Sequence, residues 1–320
     1  MSVRAGGGTA DSPGMVSDAR RGRRTGKPGN HPWRNLLFAL PALIAVALFF
    51  YASIAFIVNA SLADWNFIGA PKPVGLGNFQ RLLVDPIFGK AVIHSILYGG
   101  VVLFAQAAIG LGLAILVTGR VKFGAFYKTL FFIPVIIAPG ILAYVFRRLF
   151  DPGGEMSQFM HGIGLGQLWQ PWLAYPETAL WAIIAMGIYS GMGGAFLIYS
   201  AALTQIDREI LEAATIDGAG GRQSIRYVVM PLLKGTHAIF AIFGLGAAIG
   251  VFDIIYLSTE GGPARATETI STYLFKKSIV EFKGGYASAI SLVVLVVGLL
   301  LTFAILAFLR ERPSRKPKEA

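Results

Sequence analysis

Long apolar segments alternate with shorter polar segments along this 320-residue chain. Six of the apolar segments are each long enough to cross a hydrocarbon core of about 30 Å as an α-helix. They occupy residues 36–58, 91–118, 126–145, 178–203, 236–258 and 286–309. Pro41, Pro134 and Pro139 lie within or at the ends of these segments, where neighbouring helices must satisfy the carbonyls that proline leaves unbonded. The pattern predicts an all-α integral membrane protein with six transmembrane helices.

Polar sequence at both ends and between the apolar segments indicates the orientation in the membrane. Residues 1–35 are rich in Gly, Ser, Pro and Arg and predict a disordered basic tail, and residues 311–320 form a second tail. The membrane domain is therefore expected to span residues 36–310. Most of the 28 Lys and Arg residues lie in the tails, the 119–125 turn with the adjacent Lys128, and the 203–235 segment. The positive-inside rule places these segments and both termini in the cytoplasm.

Composition supports this interpretation and removes several function classes. With 55% hydrophobic and 14% charged residues and a mean hydropathy of +0.63, the chain is too apolar for an ordinary soluble domain. The net charge of +11 is placed beside the apolar segments, which favours a topology signal over a nucleic-acid-binding arm. The absence of cysteine excludes disulfides, zinc–thiolate sites and thiol nucleophiles. The four histidines lack metal-ligand spacing, so no metal site is expected.

The charged segment at residues 204–231 has the pattern of two helices joined by a turn. Thr204 and Asp207 supply helix start signals, one as a possible cap and the other as an acidic first-turn residue. Apolar residues then recur at helical spacing as far as Ala214, and Arg208 and Glu212 are placed to pair on the exposed face. A glycine-rich turn follows, and residues 222–229 can form a second short helix. We expect a helical elbow at the membrane surface that presents one face to a soluble partner.

This elbow resembles the cytoplasmic coupling loop of the permease subunits of binding-protein-dependent ABC importers. The family signature reads Glu-Ala-Ala, three residues, Gly, nine residues, Ile-x-Leu-Pro. The residues that fall in register here are Glu212, Ala213, Ala214, Gly218 and Pro231, with Val228 and Met230 as conservative replacements. Asp217, Gly218 and Ala219 match the form common in the sugar-importer branch.

Other parts of the chain extend the resemblance over about residues 36–310. Segments similar to those of sugar-importer permeases lie at 77–79, 85–88, 131–134, 150–154, 252–253, 257–263 and 285–289. The resemblance implies a type I ABC importer permease fold. It also implies coupling to an ATPase through Glu212, Ala213, Ala214, Asp217, Gly218, Ala219 and Pro231.

The resemblance further implies a set of partners and a location. A second permease subunit would complete the pathway in a heterodimer, and two ATPase subunits would bind ATP and Mg²⁺. A periplasmic or extracellular solute-binding protein would deliver a sugar or sugar-like solute to the outer loops. The chain itself would hold no cofactor. It would lie in the plasma membrane of a prokaryote, in contact with lipid and with no nucleic acid.

Small residues on one face of the fourth and fifth apolar segments mark either close helix packing or the border of a cavity near the membrane centre. In the family, equivalent parts of these two spans contact the substrate. The resemblance therefore implies a substrate path along Gly187, Ser190, Gly191, Gly194, Gly244, Ala247, Ala248 and Val251. Phe252 and Asp253 follow as a gate or as part of a structural pair. No Lys or Arg stands mid-span, so a neutral solute is favoured over an anionic one.

The sequence contains no signal for catalysis by this chain alone. A Walker-type Gly-x4-Gly-Lys-Ser/Thr segment is absent, as is a Ser-His-Asp arrangement within the apolar segments. We therefore expect a permease and not an enzyme, working by alternating access under the control of a separate ATPase. The alternative is an ion-coupled secondary transporter or channel acting without an ATPase, to which only Asp253 points.

Overall fold

The computed structural model describes residues 32–118 and 124–309. The predicted tails, apart from residues 32–35, and most of the 119–125 turn therefore lie outside the described residues. The first helix, α1, covers Pro32–Ser61 and so begins before the predicted span at residue 36. It starts at a proline, which is favoured at the first helical position because its φ is already helical and its missing N–H is not needed there.

The rest of the described chain is also mostly helical. A two-stranded antiparallel ribbon, β1 (Ala63–Asp64) and β2 (Lys72–Pro73), follows α1, with Ala63 opposite Pro73. The longer helices are α3 (Pro86–Thr118), α4 (Gly124–Ile136), α5 (Pro139–Leu149), α7 (Pro176–Leu203), α11 (Lys234–Ile249) and α14 (Gly284–Leu309). The shorter ones are α2 (Gly77–Leu83), α6 (Glu155–Gly162), α8 (Arg208–Ile216), α9 (Gly221–Ser224), α10 (Met230–Leu232), α12 (Asp253–Thr259) and α13 (Ile270–Phe275). A 3₁₀ turn covers Gly166–Leu168, and π-helical stretches cover Ile225–Val229 and Lys276–Val280.

Five helical segments of the described chain are long and apolar enough to span a membrane. They are Leu37–Ser61, Pro86–Val117, Pro176–Leu203, Lys234–Thr259 and Gly284–Ala307. These segments confirm the first, second, fourth, fifth and sixth predicted spans. The third predicted span requires a correction.

Residues 126–145 do not form one continuous helix. Helices α4 and α5 meet at an angle of 92°. Ala138 between them is extended, with φ −57° and ψ 136°, because the ring of Pro139 disfavours helical geometry in the residue before it. Pro139 then opens α5. Counted as one span, this bent pair completes the six predicted segments.

Helix α7 packs against α3, α4, α5, α11 and α12. Small residues allow the closest of these contacts. A Cβ atom added at Gly110 of α3 would lie 2.5 Å from the Cβ of Ala195, and one added at Gly193 would lie 2.1 Å from the carbonyl oxygen of Phe131. Phe196 is fully buried beside these contacts. The α3–α7 contact therefore sets where the polar side chains of α3 lie relative to α7.

Hydrogen bonds and an ion pair of buried polar side chains stabilise the segments that are predicted to lie outside the cell. The side-chain amide of Asn78 donates hydrogen bonds to the carbonyls of Ser61 and Ala63, both at 2.9 Å. Glu268 is fully buried, and its Oε2 lies 2.7 Å from Nζ of Lys276. Because a buried charge requires a partner, this ion pair stabilises the fold of the 260–283 segment, which contains both residues.

Candidate functional site

The fifth span is interrupted in its second half, towards the predicted outer side. Helix α11 ends at Ile249, residues 250–252 are not helical, and α12 begins at Asp253. Phe252 has φ −132° and ψ −57°, and one carbonyl freed by the break, that of Ile249, accepts a 2.7 Å hydrogen bond from the Ser271 hydroxyl. Irregular backbone at membrane depth is tolerated where it is buried in protein or lines a cavity. The sequence pattern had predicted an uninterrupted segment at 236–258.

The break borders a cavity of about 330 Å³ between α3, α7, α11 and α12. This volume lies within the range of about 300–1,000 Å³ that is usual for small-molecule sites. The residues predicted for the substrate path and gate that line it are Gly187, Ser190, Gly191, Gly244, Ala247, Ala248, Val251, Phe252 and Asp253. Gly194 does not line the cavity. It follows Gly191 by three residues on α7, so it lies almost one helical turn further along.

Two glycines of α7 that line the cavity leave room for polar side chains of α3. A Cβ added at Gly187 would lie 2.4 Å from the hydroxyl of Tyr98, and one added at Gly191 would lie 2.1 Å from Nε2 of Gln106. Nε2 of Gln106 donates a 2.8 Å hydrogen bond to the carbonyl of Gly187. Gly187 and Gly191 are thus packing positions as well as cavity positions, and both interpretations of the small residues apply to them.

Tyr98 and Gln106 were not predicted as site residues. They lie two helical turns apart and therefore on the same face of α3. The available signal was Gln106 itself, because an amide in the middle of a long apolar segment must find a hydrogen-bond partner inside the membrane.

The elbow between α7 and α11 is built around Gly218, whose φ is +84°. The N–H of Gly218 donates to the carbonyl of Thr215 at 3.1 Å, and the N–H of Ala219 donates to the carbonyl of Ala214 at 2.9 Å. These two bonds form a Schellman motif, which ends α8 and requires the left-handed conformation that glycine adopts without strain. The helical stretch from Gly221 to Leu232 follows, and it contains a π-helical segment just before Pro231.

Two details of the elbow differ from the sequence-based expectation. Thr204 does not cap α8, because its hydroxyl donates to the carbonyl of Ala201 at 2.7 Å and so closes the end of α7. Asp207 is the N-cap residue instead, without a side-chain capping bond. The expected pair between Arg208 and Glu212 is not among the ion pairs of the described residues, in keeping with the small gain that exposed pairs provide.

The two faces of α8 have different surroundings. Ile206 and Leu211 pack against the core formed by α3, α7 and the stretch that leads into α11, where Val229 and Leu233 are buried. On the other face Glu212 and Ala213 are exposed, and Ile216 is 86% exposed. The elbow is therefore fixed to two spans on one side and presents acidic and apolar groups on the other. The remaining predicted coupling residues lie within this elbow: Ala214, Asp217, Gly218, Ala219 and Pro231.

Comparison with known proteins identifies the family. Residues 32–313 match the family described as "Binding-protein-dependent transport system inner membrane component". The chain belongs to this family. It is therefore a permease component of such a system and lies in the inner membrane.

Two relatives illustrate the match. The permease is 34% identical over 278 residues to the probable ABC transporter permease protein YurN of Bacillus subtilis, covering 86% of this chain and 95% of YurN. It is 27% identical over 263 residues to the probable starch degradation products transport system permease protein AmyD of Thermoanaerobacterium thermosulfurigenes, covering 81% of this chain and 89% of AmyD.

A solved structure carries the same fold. It is a bacterial alginate ABC transporter in complex with an alginate pentasaccharide-bound periplasmic protein, and one of its chains matches this permease with a TM-score of 0.75 and 23% identity. The match covers 87% of this chain and 94% of that chain. The permease therefore has the type I ABC importer fold.

Asp85 of the permease links three helices on the predicted outer side. Its Oδ1 accepts the backbone N–H groups of Ile87 and Phe88 at the start of α3, and its Oδ2 accepts the hydroxyls of Tyr273 and, at 2.6 Å, Tyr286. Burial acts to raise the pKa of Asp85, but these hydrogen bonds outweigh it and hold the pKa below its usual value of 3.8. Burial and the bond to Asp85 raise the pKa of Tyr273. Asp85 therefore stays ionised and fastens α13 and α14 to α3.

Proposed function

We propose that this permease is one half of a heterodimeric carbohydrate importer driven by separate ATPase subunits. The observation that carries the proposal is the elbow, a short rigid helix anchored by Leu211 in the core of α3 and α7 while Glu212, Ala213 and Ile216 are exposed. An exposed face of this kind on an anchored helix is suited to docking in a groove of another protein. Ala213 and Ala214 permit close approach, and Glu212 supplies a hydrogen-bonding or charged contact.

The elbow joins α7 to α11, and both of these helices line the cavity. We therefore expect α7 and α11 to move together when the partner displaces the elbow by a few ångströms. This movement would open the cavity first to one side of the membrane and then to the other. ATP and Mg²⁺ would be bound by the two ATPase subunits. This chain would hydrolyse no ATP, because it lacks a Walker-type segment.

Carbohydrate as the solute class is supported by the relatives and by the cavity. AmyD is named for starch degradation products, and the solved transporter of similar fold carries an alginate-loaded periplasmic protein. The cavity of this permease is lined by tyrosine, serine, glutamine and aspartate side chains, which suit hydroxyl-rich solutes. A solute-binding protein would dock on the outer segments at residues 59–90, 149–177 and 259–285.

A paired substitution at the elbow tests this function. Gly218→Val places a β-branched residue at φ +84° and should distort the turn, whereas Gly221→Val lies in α9 with ordinary φ and open space around its Cβ. The complete transporter is reconstituted in proteoliposomes, and uptake of radiolabelled maltose and ATP hydrolysis are measured together. We expect Gly218→Val to lower uptake per ATP by about tenfold or more, a coupling change of about 1.4 kcal/mol. Gly221→Val should stay near wild type.

The same experiment addresses the alternative function. The interrupted fifth span and Asp253 are features that secondary transporters also use. Uptake by the permease without ATPase subunits or nucleotide would establish that alternative and remove the proposed function. Full coupling in Gly218→Val would leave transport intact but reject the elbow as the coupling element.

A further inference from the structure

The cavity lining contains one acidic side chain and, within residues 32–118 and 124–309, no Lys, Arg or His. We propose that Tyr98 and Gln106 of α3, together with Ser190 and Asp253, form a polar contact set that accepts an uncharged hydroxyl-rich solute and disfavours an anionic one. This inference rests on the proposed function. It adds α3 to the elements that contact the solute, and it makes the charge of the cavity a determinant of selectivity.

Tyr98 supplies an unpartnered hydroxyl. Its side chain is only 4% exposed, and its hydroxyl makes no hydrogen bond with another residue in the part of the chain that the structure describes. The hydroxyl lies against Gly187, where an added Cβ would come within 2.4 Å of it. Among the described residues, the buried side-chain atoms without a partner are Trp169 Nε1 and His237 Nε2, so the Tyr98 hydroxyl is accessible from the cavity that Tyr98 lines. A solute hydroxyl inside the cavity can therefore complete its hydrogen bonding.

Gln106 is held in a defined orientation. The hydrogen bond from its Nε2 to the carbonyl of Gly187 fixes the carboxamide, and Gly191 leaves the space that it occupies. Its Oε1 has no hydrogen-bond partner among the described residues, and Nε2 retains a second N–H. A donor and an acceptor held side by side match two neighbouring hydroxyls on a sugar ring. The bond to Gly187 also means that the amide needs no rearrangement before it binds.

Asp253 determines the charge of the site. It lines the cavity at the break in the fifth span and forms no ion pair or side-chain hydrogen bond with any described residue. Ser190 on α7 lines the same cavity and is likewise without a hydrogen-bond partner in the described chain. A carboxylate accepts hydrogen bonds from solute hydroxyls, but it repels a second carboxylate in a partly apolar site where screening is weak. Among the described residues, no Lys, Arg or His lines the cavity to pair with this carboxylate.

The test measures binding of the solute to the cavity and not to the solute-binding protein. The complex of both permeases and both ATPases is placed in nanodiscs without solute-binding protein, and binding of tritiated maltotriose is measured in competition with an alginate trisaccharide. We expect the wild-type complex to prefer maltotriose by about tenfold or more, and Asp253→Asn to reduce this preference by about tenfold. Tyr98→Phe and Gln106→Leu should each weaken maltotriose binding by about three- to tenfold.

Matched controls separate solute contact from helix packing. Gln158 also donates its amide to a glycine carbonyl, that of Gly153 at 3.2 Å, but outside the cavity, so Gln158→Leu should bind both sugars as the wild type does. Tyr144→Phe, which removes a hydroxyl from an exposed tyrosine of α5, is the control for Tyr98→Phe and should also bind both sugars as the wild type does. If Gln106→Leu fails to assemble, Gln106→Glu keeps the shape and adds negative charge, and it should weaken alginate binding further.

Three results would overturn the inference: equal affinity for the two probes, an unchanged ratio in Asp253→Asn, or wild-type maltotriose binding in both α3 variants. In each case ATP-dependent maltotriose uptake by the complete transporter with its binding protein would leave the proposed function standing. Failure of the wild-type transporter to take up any carbohydrate would remove the proposed function and this inference together.

Discussion

The contact between α3 and α7 at Gly110 yields a prediction that tests the packing around the cavity. A Cβ added at Gly110 would lie 2.5 Å from the Cβ of Ala195, 2.7 Å from the backbone nitrogen of Phe196 and 2.8 Å from the carbonyl carbon of Ala195. Two of these three atoms belong to the backbone of α7, so no side-chain rotation relieves the overlap. Gly110→Ala must separate the two helices. Gly112 lies on the same helix and has nothing within 4 Å of an added Cβ.

The magnitude follows from comparing the two alanine variants. Both gain helix propensity, worth about 0.5–1 kcal/mol for Gly to Ala in a helix interior. Gly112→Ala should therefore be neutral or slightly stabilising. Gly110→Ala adds an overpacking cost of about 1–3 kcal/mol. The difference between the variants isolates that cost because the propensity gain cancels.

Thermal unfolding of the purified complex in detergent provides the assay. At about 2–4 °C per kcal/mol for a chain of this size class, Gly110→Ala should unfold about 2–12 °C below Gly112→Ala. Its maltose uptake should also fall, because a wider α3–α7 separation draws Gln106 away from the Gly187 carbonyl. Equal melting temperatures for the two variants would show that α3 and α7 are not in contact at this glycine, and the description of the cavity would then be wrong.

Two further predictions concern the outer segments. Glu268→Gln should destabilise the permease by about 1.5–3 kcal/mol, because it removes the charge-assisted hydrogen bond to Lys276, whose side chain is 27% exposed. Glu155→Gln, from an exposed ion pair, should change stability by less than about 1 kcal/mol, and thermal melting compares the two variants. The pKa of Asp85 is depressed in the folded state, so its hydrogen bonds contribute stability above the unfolded carboxyl pKa of 3.8, and this stability is lost as pH falls through the folded value. Tyr273→Phe should therefore lower the melting temperature at neutral pH and flatten its decline below about pH 4; an unchanged pH profile would contradict this role.

Apolar length was sufficient to predict where the six spans lie, and the pattern of residues 204–231 was sufficient to predict two helices joined by a turn. The bend in the third span was not predicted, although Pro139 lies within that span. Proline makes a break at the preceding residue favourable, but the 92° angle depends on what α4 and α5 pack against. The interruption at residues 250–252 was missed for a similar reason. Apolar composition continues through it, and the bond from Ser271 to Ile249 joins residues that are distant in sequence.

For the cavity, helical spacing identified the small residues of α7 and α11 that share a face, since the period of the helix is a local property. Their neighbours on α3 could not be assigned in this way. Gln106 and Tyr98 reach Gly187 only because α3 and α7 approach closely at Gly110, and that distance is a property of the pair of helices. Local periodicity thus determines which residues face inward, whereas the packing of one helix on another determines which inward-facing groups meet.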